Sequence, residues 1–270
     1  MAYLANGKPL TLTDFVRMKA QGEKIAVLTC YDASFAALEE RCGVEALMIG
    51  DSLGNVLQGH KTTLPVKLED IEYHTACVAR GAKRAFIIAD LPFGSYQESR
   101  EQAMRSAARL MAAGAHMVKF EGGEYMAATA HFLTQRGVPV CAHIGLTPQS
   151  VHQLGGYRVQ GRDEAGAVRM KEDARVMEEA GAGMIVLEMA PKALAGEITA
   201  AAKTMATIGI GAGKDCDGQV LVLHDMIGVF AGSPKFSKNF LQGAASIDEA
   251  VKAYVAAVKD GSFPGPEHSY

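Results

Sequence analysis

Apolar residues along this chain alternate between two patterns. Short, nearly unbroken apolar runs occur at 24–30 (KIAVLTC), 46–51 (ALMIGD), 85–90 (AFIIAD), 116–121 (HMVKFE), 139–145 (PVCAHIG), 183–188 (GMIVLE), 205–211 (MATIGIG) and 219–224 (QVLVLH). Such runs predict strands buried on both faces. Between them, residues 34–43, 69–81, 96–114, 123–137, 164–181 and 191–203 read as helices. In 96–114, Ala103, Met104, Ala107, Leu110, Met111 and Gly114 share one face, and Gly114 predicts the C-cap. Strand–helix alternation predicts a parallel sheet, and eight such strands in 270 residues predict a single (β/α)8 TIM barrel over 1–270. A doubly wound open sheet is the alternative. Residues 11–22 (TLTDFVRMKAQG) read as an extra N-terminal helix under the barrel.

Four of the strands end on acids: Asp51, Asp90, Glu121 and Glu188. In a parallel barrel all strand ends point to one face, where active sites lie, so these carboxylates are predicted to converge. Crowded carboxylates repel, and a hard divalent cation such as Mg²⁺ relieves that repulsion through oxygen ligands. The competing account is local: an acid after a strand can cap the next helix or form a turn, although Glu caps poorly. Lys119 lies two residues before Glu121, on the same face. It can bind an anionic substrate or simply pair with Glu121. His143 can serve the site or be a satisfied core histidine, and His224, followed by Asp225, reads as structural.

Two long loops, 54–67 and 146–163, are candidate lids. The glycines of GIGAG (209–213) suit either a phosphate site after the seventh strand or a tight turn. GDSLG (50–54) matches a nucleophile elbow built on Ser52. That motif needs a helix directly after the serine, and NVLQGHKTTLP does not read as one, which disfavours a hydrolase.

Composition narrows the classes. A net charge of -3 with no basic patch argues against nucleic acid. Five cysteines without a C-x-x-C pair argue against a disulfide framework or thiolate metal site. The opening MAYLANGKPLTLTD lacks a leader pattern and no apolar run spans a bilayer, so a cytoplasmic protein without membrane partners is expected.

The blocks GDSLGNVLQGHKTTLPVKLEDIEYHTACVARG, ADLPFGSY, VKFEGG, AHIGLTPQSVHQLGGYRVQGR, LEMAP and TIGIGAGKDCDGQVLVLHDMIG cover nearly the whole chain and resemble the ketopantoate hydroxymethyltransferase family. The resemblance implies a (β/α)8 barrel, a homodecamer, Mg²⁺ as cofactor and 5,10-methylenetetrahydrofolate as co-substrate. It implies hydroxymethyl transfer to 3-methyl-2-oxobutanoate, giving 2-dehydropantoate and tetrahydrofolate, the first committed step of pantothenate synthesis. By motif, Asp51, Asp90 and Glu121 would hold the metal, directly or through water. Asp51, Ser52, Asp90, Lys119 and His143 would surround the keto acid, and Glu188 would accept its proton. Competing readings are another metal–enolate barrel enzyme, such as a phosphoenolpyruvate mutase or isocitrate lyase relative, and a non-catalytic binding protein.

Overall fold

The computed structural model describes residues 8–270. Residues 1–7 of the stretch read for a leader lie outside them. Eight parallel strands close into a barrel in chain order: β1 (Ile25–Thr29), β2 (Ala46–Ile49), β3 (Phe86–Asp90), β4 (Met117–Glu121), β5 (Val140–Gly145), β6 (Met184–Glu188), β7 (Ala206–Ile210) and β8 (Gly218–Leu221). β8 pairs back onto β1, Ile25 opposite Gly218 through Leu28 opposite Leu221. The closed sheet excludes the doubly wound alternative. Nearly every strand residue is buried, as uninterrupted apolar runs require.

The helices are α1 (Leu12–Ala20), α2 (Ala33–Arg41), α3 (Leu53–Val56), α4 (Leu68–Gly81), α5 (Arg100–Ala113), α6 (Ala127–Thr134), α7 (Val151–Leu154), α8 (Glu164–Glu179), α9 (Lys192–Ala201), α10 (Leu223–Met226) and α11 (Ile247–Lys259). Side chains of Asp32, Ser99, Asp163 and Ser246 cap α2, α5, α8 and α11, and Gly114 ends α5 in a left-handed conformation. Glutamates clasp the turns that feed two strands. Glu40 accepts the backbone N–H groups of Lys83, Arg84 and Ala85, and Glu178 those of Lys203, Thr204 and Met205. α1 does cross the barrel floor. Its Phe15 packs on Phe86 at the start of β3, with ring centroids 5.2 Å apart, and its Lys19 pairs with Asp217 just before β8.

Three expectations needed correction. The eighth strand stops at Leu221, and His224 sits on the turn α10 rather than in a strand. Residues 96–98 are not helical, since α5 begins only after Ser99. The eighth outer helix, α11, went unpredicted. Its Tyr254 hydroxyl lies 2.8 Å from the Val27 carbonyl and 3.0 Å from that of Gln219, bridging the β1–β8 seam. None of the described helices is long and apolar enough to cross a membrane.

Candidate active site

The C-terminal ends of the strands open into a cavity of about 510 Å³. Asp51, Ser52, Asp90, Lys119, His143 and Glu188 all line it. None of the four strand-end acids caps a helix: the N-cap positions that follow them belong to Ser52, Ser99, Gly123 and Pro191. Helix capping therefore does not account for those acids, although Asp51 does lie in the turn that leads into α3.

β3 and β4 run side by side with Asp90 opposite Lys119, so both side chains enter the mouth together. Lys119 Nζ lies 3.0 Å from Asp90 Oδ2, and both side chains are buried. Asp90 Oδ2 also accepts the Asp51 N–H at 3.1 Å, while Asp90 Oδ1 is buried with no partner. Burial pushes the Asp90 carboxyl up to about 6, with Lys119 pulling it down and Asp51 pushing it further up. Burial disfavours the Lys119 ammonium, but Asp90, Asp51 and Glu121 outweigh that and raise its pKa. The pairing expected with Glu121 is thus made mainly with Asp90.

His143 sits between acid and lysine. Its Nδ1 is 3.5 Å from Lys119 Nζ and its Nε2 is 3.1 Å from Glu188 Oε2, a close approach short of an aligned hydrogen bond. Burial, then the lysine, lowers the His143 pKa, so the ring is neutral near pH 7. An ammonium only donates, so Nδ1 is the acceptor and the ring proton belongs on Nε2, facing Glu188. Gly145 protects that arrangement. It lies opposite Glu188 in the β5–β6 register with φ +91°, and a Cβ there would stand 2.2 Å from the Glu188 carbonyl oxygen. Met189, the next residue, holds a strained φ of 44°, fixed by its N–H donating to Ile210 O.

Glu121 borders the cluster from outside this cavity, its Oε1 3.8 Å from His143 Nδ1. It lines a second cavity of about 380 Å³ with Phe93, Tyr96, Tyr125 and Gln149. Its carboxylate accepts the Gln149 N–H at 3.0 and 3.2 Å, and burial followed by Asp51 raises its pKa well above the usual range. Gln149 bridges the two spaces, because its side chain also donates to Asp51 Oδ2 at 2.8 Å.

Ser52 is followed at once by α3, contrary to the expectation of no helix there. Its hydroxyl lies 2.9 Å from that of Tyr31, and no histidine contacts it, so the elbow lacks a base. The GIGAG glycines serve close packing. A Cβ at Gly211 would meet Phe236 and Tyr270 at 3.1 Å, and one at Gly213 would meet Lys192 at 2.5 Å. The five cysteines are free, and Cys141 beside Lys119 is held up to about 12 by burial.

Sequence reasoning did not single out Gln149, Tyr31 or Tyr270. The first lay inside a quoted block, four positions after the end of β5. Tyr270 comes to the cavity by chain return, with Lys192 N–H donating to its carbonyl at 2.9 Å, and nothing local announces that.

Among the described residues, no three His, Cys, Asp or Glu side chains form a ready metal cage. Two carboxylates with free oxygens nevertheless suit magnesium, which takes one or two carboxylates and completes its shell with water and substrate oxygens. The orphaned Asp90 Oδ1 is the atom such an ion would satisfy.

The sequence profile of the ketopantoate hydroxymethyltransferase family matches residues 9–266. The chain belongs to that family. A 3-methyl-2-oxobutanoate hydroxymethyltransferase of Azoarcus sp. (strain BH72) is 69% identical over 271 aligned positions, covering 100% of both chains. One of Aromatoleum aromaticum is 64% identical with the same coverage. The protein is therefore an enzyme of the hydroxymethyltransferase class. Solved structures carry the fold more widely. Oxaloacetate acetylhydrolase bound to 3,3-difluorooxalacetate superposes with a TM-score of 0.62 at 13% identity, over 96% of this chain and 99% of its own. Phosphonopyruvate hydrolase with oxalate and Mg²⁺ gives 0.60 at 13%, over 82% and 84%. At such identities the likeness shows the barrel fold alone.

Proposed function

We propose that this enzyme moves a hydroxymethyl group from 5,10-methylenetetrahydrofolate to carbon 3 of 3-methyl-2-oxobutanoate. One water is consumed, and 2-dehydropantoate and tetrahydrofolate leave. The acceptor is the one named for the close relatives, while the folate donor and Mg²⁺ rest on the motif resemblance. The observation that carries the reading is the division of labour in the cavity: Asp51, Asp90 and Lys119 on one side, and a carboxylate on β6, Glu188, held apart by the His143 ring.

Carbon 3 must lose a proton before it can form a bond to carbon. Lys119 offsets the charge of the keto acid, and the Ser52 hydroxyl, held by Tyr31, donates to it. A magnesium ion on the free oxygens of Asp51 and Asp90 would supply Lewis-acid polarisation of the keto acid oxygens, with Glu121 reaching it through water. Glu188 takes the proton from carbon 3 as general base. The Nε2–H of His143 faces that carboxylate across 3.1 Å. Water opens the one-carbon bridge of the folate, breaking both its C–N bonds to give tetrahydrofolate and a formaldehyde unit; the carbanion of the acceptor adds to that carbon, and the resulting alkoxide takes a proton to become the hydroxymethyl group.

Proton NMR of 3-methyl-2-oxobutanoate in D₂O tests this. Metal-dependent loss of the carbon 3 signal without folate, abolished by chelator, is the expected result. Absence of exchange together with absence of 2-dehydropantoate on adding methylenetetrahydrofolate would refute the substrate assignment. On the same resemblance we read the enzyme as a cytoplasmic homodecamer catalysing the first committed step of pantothenate synthesis. Sedimentation should give a particle of ten 28.6 kDa chains.

A further inference from the structure

Gln149 lies in the short turn Pro148–Ser150, at the head of the long loop after β5. It is only 6% exposed, and both polar atoms of its side chain are engaged. Nε2 donates to Asp51 Oδ2 at 2.8 Å and to the Leu91 carbonyl at 3.1 Å. Oε1 accepts from the Tyr96 hydroxyl at 2.7 Å and from Gln97 Nε2 at 3.3 Å. The orientation of the amide is forced by a chain of partners. Gly94 N–H donates to Gln97 Oε1 at 2.8 Å, so Gln97 presents its nitrogen to Gln149. Gln149 must then turn its oxygen to Gln97 and its nitrogen to Asp51.

The consequence falls on the carboxylates. Asp51 has one oxygen held by Gln149. Asp90 has one oxygen held by Lys119 and the Asp51 N–H, while its other is buried without a partner. Each acid therefore has one oxygen committed to a protein donor and one left to give. Two single-oxygen ligands suit an octahedral ion at about 2.0–2.1 Å, whereas a larger ion such as calcium gains from carboxylates that bind through both oxygens. For Asp51 to bind through both, Gln149 would lose its acceptor and leave a buried N–H unmet.

We propose that Gln149 is a positioning residue that keeps Asp51 to one free oxygen and so biases the site toward a small cation over a large one. This rests on the proposed metal reading. The side chain holds Asp51, while the backbone N–H of the same residue holds Glu121. Replacing the side chain therefore separates the two effects.

The test is metal binding without substrate. Chelator-stripped enzyme is loaded with Mn²⁺, and displacement by Mg²⁺ or by Ca²⁺ is followed through water-proton relaxation. Gln149→Met fills the space without a donor. It should weaken Mg²⁺ binding about 10–100-fold, the usual cost of losing such a supporting contact, while Ca²⁺ falls less. The Ca²⁺/Mg²⁺ affinity ratio should rise about tenfold. Tyr96→Phe loosens the amide from its other end and should move the ratio the same way by a smaller amount, which covers a Gln149→Met variant that does not fold. A merely structural role would lower melting temperature and weaken both ions in parallel. An unchanged ratio in the folded variants, or in Tyr96→Phe alone if the other is unfolded, overturns the inference. Wild-type enzyme that binds none of the three ions overturns the metal reading itself, and this inference with it.

Discussion

Glu39, on the inner face of α2, offers a quantitative test of the barrel's electrostatics well away from the reaction. It is fully buried and neither carboxylate oxygen has a hydrogen-bond partner. Burial is the main cause of a pKa raised well above the usual range; a contact with Cys30 too loose to be a hydrogen bond opposes it, and Asp32 adds repulsion. In the unfolded chain a glutamate releases its proton near pH 4.3 (~4.3). The folded protein retains that proton to higher pH. Stability from this group is therefore complete below the unfolded pKa and is lost as pH rises toward the folded one.

The slope is about 1.4 kcal/mol per pH unit wherever the folded state holds one proton more. Over the pH range in which the folded protein keeps that proton, each unit therefore removes up to about 1.4 kcal/mol of stability. Glu39→Gln keeps the shape and cannot ionise. Its buried amide carries an offset of its own, so the slope, not the absolute difference, is the test. Urea unfolding of both proteins at equal chain concentration, at pH 5, 6 and 7, should show the variant gaining on wild type as pH rises, by up to about 1.4 kcal/mol per unit. A gap independent of pH would show that Glu39 is ionised and stabilised in the fold, and would refute the reasoning.

Other expectations follow from the cavity. Glu188→Gln should abolish carbon 3 exchange in D₂O while leaving Mn²⁺ binding within about twofold, because Glu188 lies outside the Asp51–Asp90 pair; retained exchange would remove it as the base. Lys119→Met leaves Asp90 buried and unpaired and should cost about 3–5 kcal/mol in urea unfolding at pH 7, with a smaller loss at pH 5, where a carboxyl already raised to about 6 is largely protonated. Gly145→Ala drives a Cβ to 2.2 Å from the Glu188 carbonyl oxygen and should lower kcat at least about tenfold, since a misplacement of an ångström is costly; unchanged kcat would show that β6 can yield there. Asp51→Ala should weaken Mn²⁺ binding at least about tenfold in water-proton relaxation without unfolding the barrel, as read by circular dichroism; unchanged binding would remove Asp51 as a ligand.

The barrel was legible because its strands carry the simplest signal a sequence can hold, a short run apolar on both faces. Seven of the runs stop within a residue or two of the observed strand. The eighth overshot because QVLVLH stays apolar after Leu221, where the chain turns into α10. α11 was readable too. Ser246 is its N-cap, with Glu249 N–H on Ser246 Oγ at 3.2 Å, and the Glu249 carboxylate accepts Ala245 N–H at 3.0 Å. Ala250, Val251, Tyr254 and Val258 share the buried face. The meeting of Asp51, Asp90 and Glu188 followed from the common direction of parallel strands. The partner of Lys119 did not. Same-strand spacing pointed to Glu121, but the neighbouring strand put Asp90 directly opposite, and cross-strand register is not written locally. Gln149 was hidden for the same reason, since its role depends on a loop folding back over two strands.

The four strand-end acids show how one device yields different chemistry. Asp90 is pinned by a lysine and keeps one unsatisfied oxygen, so its environment calls for a cation. Asp51 is pinned by a neutral amide, which orients it without neutralising it. Glu121 accepts a backbone N–H and is pushed toward its protonated form, which suits support of the site better than direct ligation. Glu188 faces a neutral imidazole and the open cavity. In the proposed mechanism the proton acceptor must stay uncommitted to metal, and of the four only Glu188 faces the cavity from beside the His143 ring and not from the Asp51–Asp90 side. Moving the base to Asp90 would place the lysine against it and lower its basicity. Moving the metal to Glu188 would put a cation beside His143 and leave carbon 3 without an acceptor. In that proposal the separation of base from ligands is set by which neighbouring strand supplies the lysine and which the histidine.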